Sequence, residues 1–291
     1  MRSFENGNPM VITVYFLSVI GILMFSQNPV LLLLCFVGAF SYTLMRINVS
    51  LRSHLFYFLL FTVVTMINPL VSHNGKTVLF VINDSPITLE ALVYGIVNAG
   101  ILITVLYLFR QFSEIMTRDK LLYVFGSVSP KLALILSMGL RYVPLFRERA
   151  KKISESQKAL GLYKEDHIFA KIQSDLRVFS ILITWALENG ITTADSMAAR
   201  GYGKYRRTYF TLFKFRKSDA FILILTILCS VLTILGMASG VLDFIFYPTF
   251  YFSDATPLGI ISYTAYGILT LLPIISETEE RLRWKYLQSK I

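Results

Sequence analysis

The stretch LEALVYGIVNAGILITVLYLF, residues 89–109, carries one charged side chain, Glu90, and that lies at its start; Arg110 follows its end. A helix crossing a bilayer needs ~20 mostly apolar residues, so this run reads as a transmembrane span. Five more runs of the same kind surround it, at residues 10–25, 30–45, 55–67, 220–241 and 258–275. The run at 55–67 is long enough only if it begins near Leu51, and Asn68-Pro69 is expected to end it. No small-x-small site follows Phe25, which reads the first run as a span and not a cleaved leader.

Composition agrees. The chain of 291 residues is 55% apolar and 16% charged, with a mean hydropathy of +0.60. Soluble domains average ~45–50% apolar and ~25% charged. Cys35 and Cys229 both sit inside apolar runs, which excludes a disulfide framework. Basic residues outnumber acidic ones, 28 to 18. In so apolar a chain the excess points to the bilayer and its anionic lipids, with no nucleic-acid partner. With six spans starting in the cytoplasm, 27 of the 28 basic residues fall on the cytoplasmic side and only Lys76 falls outside. The positive-inside rule therefore favours six spans over five and places both termini in the cytoplasm.

The organisation that follows is an all-α integral membrane protein. Residues 1–109 hold four spans, residues 110–218 a cytoplasmic helical region, and residues 219–291 a last pair of spans with a basic tail. The middle region has 20 basic and nine acidic residues, yet stays rich in apolar ones. Ser129-Pro130 is a helix start, with serine as N-cap and proline at the first helical position. Leu132, Leu136, Gly139, Val143, Phe146, Ala150 and Ile153 then recur at helical spacing. Pro144 is expected to kink this helix and Gly161 to close it. A second pattern runs from Ile168 through Ile172, Leu176, Phe179, Ile183 and Leu187, with Asn189-Gly190 as a break, to Gly201. Two long amphipathic helices need somewhere to place their apolar faces: the membrane interface, each other, or partner proteins.

Several chemistries are missing. Gly75-Lys76-Thr77 looks like the end of a phosphate-binding loop, but the glycine that motif requires at position 70 is Leu70. His54, His73 and His167 have no metal-ligand spacing with the cysteines. Glu90 and Asp219 lie at span ends and read as interface residues. No acidic residue lies deep in a span, where an ion-coupled carrier needs one. The sequence thus carries no catalytic residues, metal ligands or cofactor site.

Four passages carry a family resemblance. Asn68-Pro69-Leu70 with Ser72-His73-Asn74-Gly75, the run from Pro130 to Lys152, Gln157-Lys158-Ala159-Leu160-Gly161, and Asp195-Ser196-Met197-Ala198-Ala199-Arg200-Gly201-Tyr202-Gly203 resemble the transmembrane T component of energy-coupling-factor (ECF) transporters. These are ABC-type importers of vitamins and of nickel and cobalt. The likeness covers roughly residues 10–217. It implies a non-catalytic subunit of the cell membrane whose two long helices act as coupling helices between two cytosolic ABC ATPases and a membrane-embedded, substrate-binding S component. The ATPases would dock at Ala159, Leu160 and Gly161 and at Ala199, Arg200 and Gly201. The S component would dock on Leu136, Val143, Phe146, Ile172, Leu176 and Phe179. The first tip departs from the family, with Leu160 where the family has arginine. Two other readings stay open: a stand-alone permease with its own substrate path, and a membrane-anchored basic interaction protein.

Overall fold

A computed structural model describes residues 4–46, 51–72, 75–82, 85–163, 167–204, 213–247, 251–252 and 256–288. His73 and Asn74 of the first quoted passage lie outside the described residues. The chain divides into two compact units, one built from residues 1–120 and 213–291, the other from residues 121–212.

The first unit contains the apolar helices α1 (Pro9–Phe25), α2 (Pro29–Arg46), α3 (Leu51–Val71) and α4 (Leu89–Ile115). A short antiparallel hairpin of β1 (Val78–Ile82) and β2 (Ser85–Thr88) joins α3 to α4. The helix α5 (Arg118–Val128) leads out of this unit. The chain returns to it as α8 (Lys217–Ala238) and α9 (Pro257–Gln288), with β3 (Phe244–Ile245) and β4 (Tyr251–Phe252) between them. Five of the six apolar helices are long enough to cross a membrane, and α1, at 17 residues, is the short one.

Three helix ends differ from the sequence expectation, for one reason. α3 continues through Pro69 to Val71, α4 passes Arg110 to reach Ile115, and α9 runs unbroken from its apolar half into the basic tail. Hydropathy marks where lipid stops, whereas the backbone hydrogen-bond ladder continues until a cap ends it. Pro69 lies in the last turn of α3, so the bond to the Thr65 carbonyl that it forgoes falls at the end of the ladder, with only two helical residues beyond it. At 32 residues α9 is ~48 Å long, well beyond the ~30 Å hydrocarbon core.

The last two helices close over the first two: α8 packs on α1, α9 packs on α2, and α4 packs against α2 and α3. Gly38 lets α2 and α9 approach closely, since a Cβ there would lie 2.9 Å from the Thr270 carbonyl. Buried polar groups link the same helices. Gln111 Nε2 donates to the Ala39 carbonyl (2.6 Å) and to Thr43 Oγ1 (2.9 Å). Asn28 Nδ2 donates to the Leu242 carbonyl (2.9 Å) and to Tyr263 Oη (2.6 Å). In a bilayer such bonds contribute ~0.6 kcal/mol each on average, so they fix register more than they supply stability.

The carboxylates at span ends are buried and hydrogen-bonded. Glu90 is 2% exposed. It accepts from Thr77 Oγ1 (2.7 Å) and from the backbone N–H groups of Thr77 (3.3 Å) and Lys76 (3.4 Å). The Gly75-Lys76-Thr77 turn thus wraps the chain's own carboxylate. Asp219 accepts from the backbone N–H of Arg216 (3.0 Å) and of Asn8 (3.4 Å), tying the start of α8 to the start of α1. A third buried carboxylate, Glu277, lies just past the last apolar run. It pairs with Arg46 (3.1 Å) and Arg281 (3.5 Å), and Arg46 also holds Glu5.

The second unit is dominated by α6 (Pro130–Ala159) and α7 (Ile168–Ala199). Ser129 is the N-cap of α6 by backbone geometry, but its hydroxyl makes no capping hydrogen bond. Pro144 lies within α6, and α7 runs straight through Asn189-Gly190, which is therefore not a break. α6 buries none of its side chains and α7 buries only Ser174 and Val178.

Candidate functional site

The candidate site is this helix pair. On each helix the buried and half-buried residues recur at helical spacing: Met138, Tyr142, Phe146 and Ala150 on α6, and Ser174, Val178, Leu182, Trp185, Ala186, Asn189 and Thr193 on α7. These rows face each other, because residues three or four apart lie on one side of a helix. Tyr142 Oη and Thr193 Oγ1 are 3.0 Å apart. Phe146 stacks on Tyr142 (centroids 5.5 Å apart) and meets the Trp185 ring edge-on (6.0 Å). The Arg149 guanidinium lies 4.9 Å from the centre of the Trp185 ring. An aromatic pair contributes ~0.5–1.5 kcal/mol and an exposed cation–π contact ~0.5–1 kcal/mol. The two helices are therefore held by a thin seam.

Phe146 belongs to that seam. The other five apolar positions singled out in the sequence do not: Leu136, Val143, Ile172, Leu176 and Phe179 are all exposed, from 38% for Leu136 to 61% for Leu176. Exposed apolar residues of this number on one helix pair mark a surface built to be covered.

The helix tips are alike in backbone. α6 ends with Leu160 as C-cap and Gly161 at φ +67°, and α7 with Arg200 as C-cap and Gly201 at φ +78°. In the first, Gly161 N–H donates to the Lys158 carbonyl (3.0 Å) and Leu162 N–H to the Gln157 carbonyl (3.0 Å). In the second, Gly201 N–H donates to the Ala198 carbonyl (3.0 Å) and Tyr202 N–H to the Met197 carbonyl (3.0 Å). This is the Schellman arrangement at both ends, and it requires a left-handed residue, which glycine supplies without strain.

The side chains around the tips differ. Beyond the first, Tyr163 Oη donates to Asp175 Oδ1 (2.6 Å), its ring lies under the Lys158 ammonium (4.9 Å), and Arg177 reaches the Leu162 carbonyl (3.5 Å). That tip is strapped back to α7. Leu160 is 71% exposed. Arg200 is exposed and has no ion-pair partner among the described residues. Farther back along α6, Lys152 sits 2.7 Å from Glu148 and holds its carboxyl below the usual range.

Sequence reasoning placed both helix ends and missed the seam. Trp185, Tyr142 and Arg149 carry it with Phe146, and the signal was available as aromatic residues at helical spacing on the two helices. Among the described residues no three His, Cys, Asp or Glu side chains come together as a metal-holding group.

A multi-pass all-α membrane protein with two long, scarcely buried helices is the class this geometry defines. Within it, the chain belongs to the cobalt transport protein family (CbiQ), which matches residues 4–210 and so takes in α1 through α7. The chain is 28% identical over 103 residues to the energy-coupling factor transporter transmembrane protein EcfT of Streptococcus equi subsp. equi, covering 35% of this chain and 38% of that protein. It is 29% identical over 107 residues to EcfT of Lactococcus lactis subsp. cremoris, covering 36% of this chain and 40% of that one. The matched stretches thus span well under half the length of either relative. α8 and α9 lie beyond the family match.

Proposed function

We propose that the chain is the coupling subunit of an ECF-type importer in the cell membrane, with both termini cytoplasmic. One observation carries the reading: α6 and α7, 30 and 32 residues long, bury almost nothing and end in matching caps. Helices of that length left so exposed gain their stability from what covers them. A substrate-binding S component for a vitamin or a transition metal docks on Leu136, Val143, Ile172, Leu176 and Phe179, while Phe146 holds the two helices together. Two ABC ATPases dock at the tips, one at Ala159, Leu160 and Gly161, the other at Ala199, Arg200 and Gly201. The small residues let a helix end enter a groove closely, and the Arg200 guanidinium offers a planar fork for a carboxylate. ATP hydrolysis takes place on those separate subunits, and their movement passes through α6 and α7 to tilt the S component. Family membership and the EcfT relatives support this reading, and the exposed apolar residues of α6 and α7 favour it over a permease.

Purification of the tagged chain in mild detergent tests it. Two ABC ATPases and a small hydrophobic protein are expected to accompany the chain, and Val143→Asp or Leu176→Asp to release the small protein while the ATPases stay bound. A lone chain that moves substrate across liposomes would overturn the proposal.

A further inference from the structure

A groove of about 630 Å³ lies between α2 and α3 with α4 as its floor. α3 buries only Thr65 and Pro69, in its C-terminal part, while its N-terminal half meets α4 through Tyr57, whose ring lies 4.8 Å from that of Tyr107. α2 and α3 each pack on α4 and leave the space between them open.

The walls are apolar, including Leu33, Phe36, Leu44, Phe58 and Phe61. On α2 the lining runs from Leu32 to Leu44, and on α4 from Ile96 to Tyr107. At ~1.5 Å per residue these stretches are ~18 Å and ~17 Å long. The groove therefore begins at the α2–α3 end of the bundle and on α2 runs along most of the helix. Apolar walls suit a lipid tail, and the charge at the mouth selects its headgroup.

The mouth is basic. His54 lines it, with Nδ1 2.9 Å from Tyr107 Oη, which leaves Nε2 for another partner. Arg52 is exposed in the first turn of α3. Arg110 follows Tyr107 by three residues and so lies on the same face of α4. A negative headgroup meets its complement here, and a zwitterionic one gains less.

We propose that this groove is a lipid site, holding one acyl chain of an anionic phospholipid whose phosphate lies against Arg52, His54 and Arg110. The site is independent of the coupling surface on α6 and α7.

The test uses tryptophan quenching by brominated lipid. The chain carries Trp185→Phe and Trp284→Phe, with a single tryptophan introduced by Phe58→Trp in the groove wall or by Leu228→Trp on the lipid-exposed side of α8. Both replaced residues are more than half exposed. In phosphatidylcholine vesicles, brominated phosphatidylglycerol is expected to quench the Phe58→Trp variant with roughly fivefold preference over brominated phosphatidylcholine. The Leu228→Trp variant should show no preference, and its quenching by both lipids reports correct insertion. Arg52→Gln with Arg110→Gln should abolish most of the preference at the groove. Equal quenching by the two lipids in the groove would overturn the proposal. So would an unquenched Phe58→Trp variant beside a quenched Leu228→Trp variant, because a protein segment would then fill the groove.

Discussion

The tips of α6 and α7 share one backbone and differ in what they present. Both end in a left-handed glycine, and a Cβ added to Gly161 or Gly201 would meet nothing within 4 Å. The last residue before each glycine is Leu160 in one and Arg200 in the other. Strapping differs too: Tyr163 and Arg177 tie the first tip to α7, while Arg200 makes no ion pair among the described residues. The shape of a helix end is thus generic and its chemistry local. If both tips dock, they dock on different terms, with a charged contact at one and an apolar contact at the other.

The comparison presupposes that both tips face the same compartment, and this gives the largest expected effect. With Cys35 and Cys229 replaced by alanine, a cysteine at Lys158 or at Lys204 should escape impermeant thiol reagent in intact cells. A cysteine at Lys76 should react. Labelling at either tip position would break the orientation inferred from charge.

Next in size is Arg200→Ala. Removing one partner of a desolvated charge pair costs ~2–5 kcal/mol, or roughly 30- to several-thousand-fold in affinity. Co-purification of ATPase with the variant chain measures it, and raised salt should weaken this tip more than the other. Leu160→Ala should cost less, since full burial of a leucine side chain contributes ~1.5–3 kcal/mol and the alanine keeps part of it. A larger loss for Leu160→Ala would show that charge does not set the docking order.

The smallest effect should be the same at both tips. Gly161→Ala and Gly201→Ala each force a side chain into the left-handed region, at about 1 kcal/mol. Amide exchange in the last turn of each helix reads that cost. A clear inequality would mean that the strap through Tyr163, and not the glycine, determines the first end.

Most of the fold was legible because lipid imposes a length and a polarity that a short window of sequence displays. Six apolar runs became six helices, and the Ser129-Pro130 start and the glycine ends appeared where capping chemistry put them. What the window missed depends on distant residues. Glu277 is buried because Arg46, 231 positions earlier, accompanies it, and nothing near Glu277 announces that partner. Asn189-Gly190 looked like a break because both residues are weak helix formers, but Asn189 is half-buried along the row facing α6 and its neighbours carry the helix through. Periodicity found the apolar face of α6 but could not separate Phe146 from Val143. They lie three residues apart, and only the position of Trp185 on α7 divides the seam from the outer face.

The closure of α8 on α1 and of α9 on α2 sets a timetable for synthesis. The surface of α1 that Tyr266 covers, including the Val19 carbonyl its hydroxyl reaches, waits for a residue made 247 positions later. At ~5–20 residues per second that wait is roughly 12–50 s. Throughout it the early helices sit in the bilayer with Gly38, Asn28 and Asp219's eventual partner Asn8 uncovered. A ribosome that stalls before α8 therefore leaves a half-bundle whose inner faces are open to lipid, to insertases and to membrane proteases, and the nascent chain's fate is decided by its last seventy-odd residues.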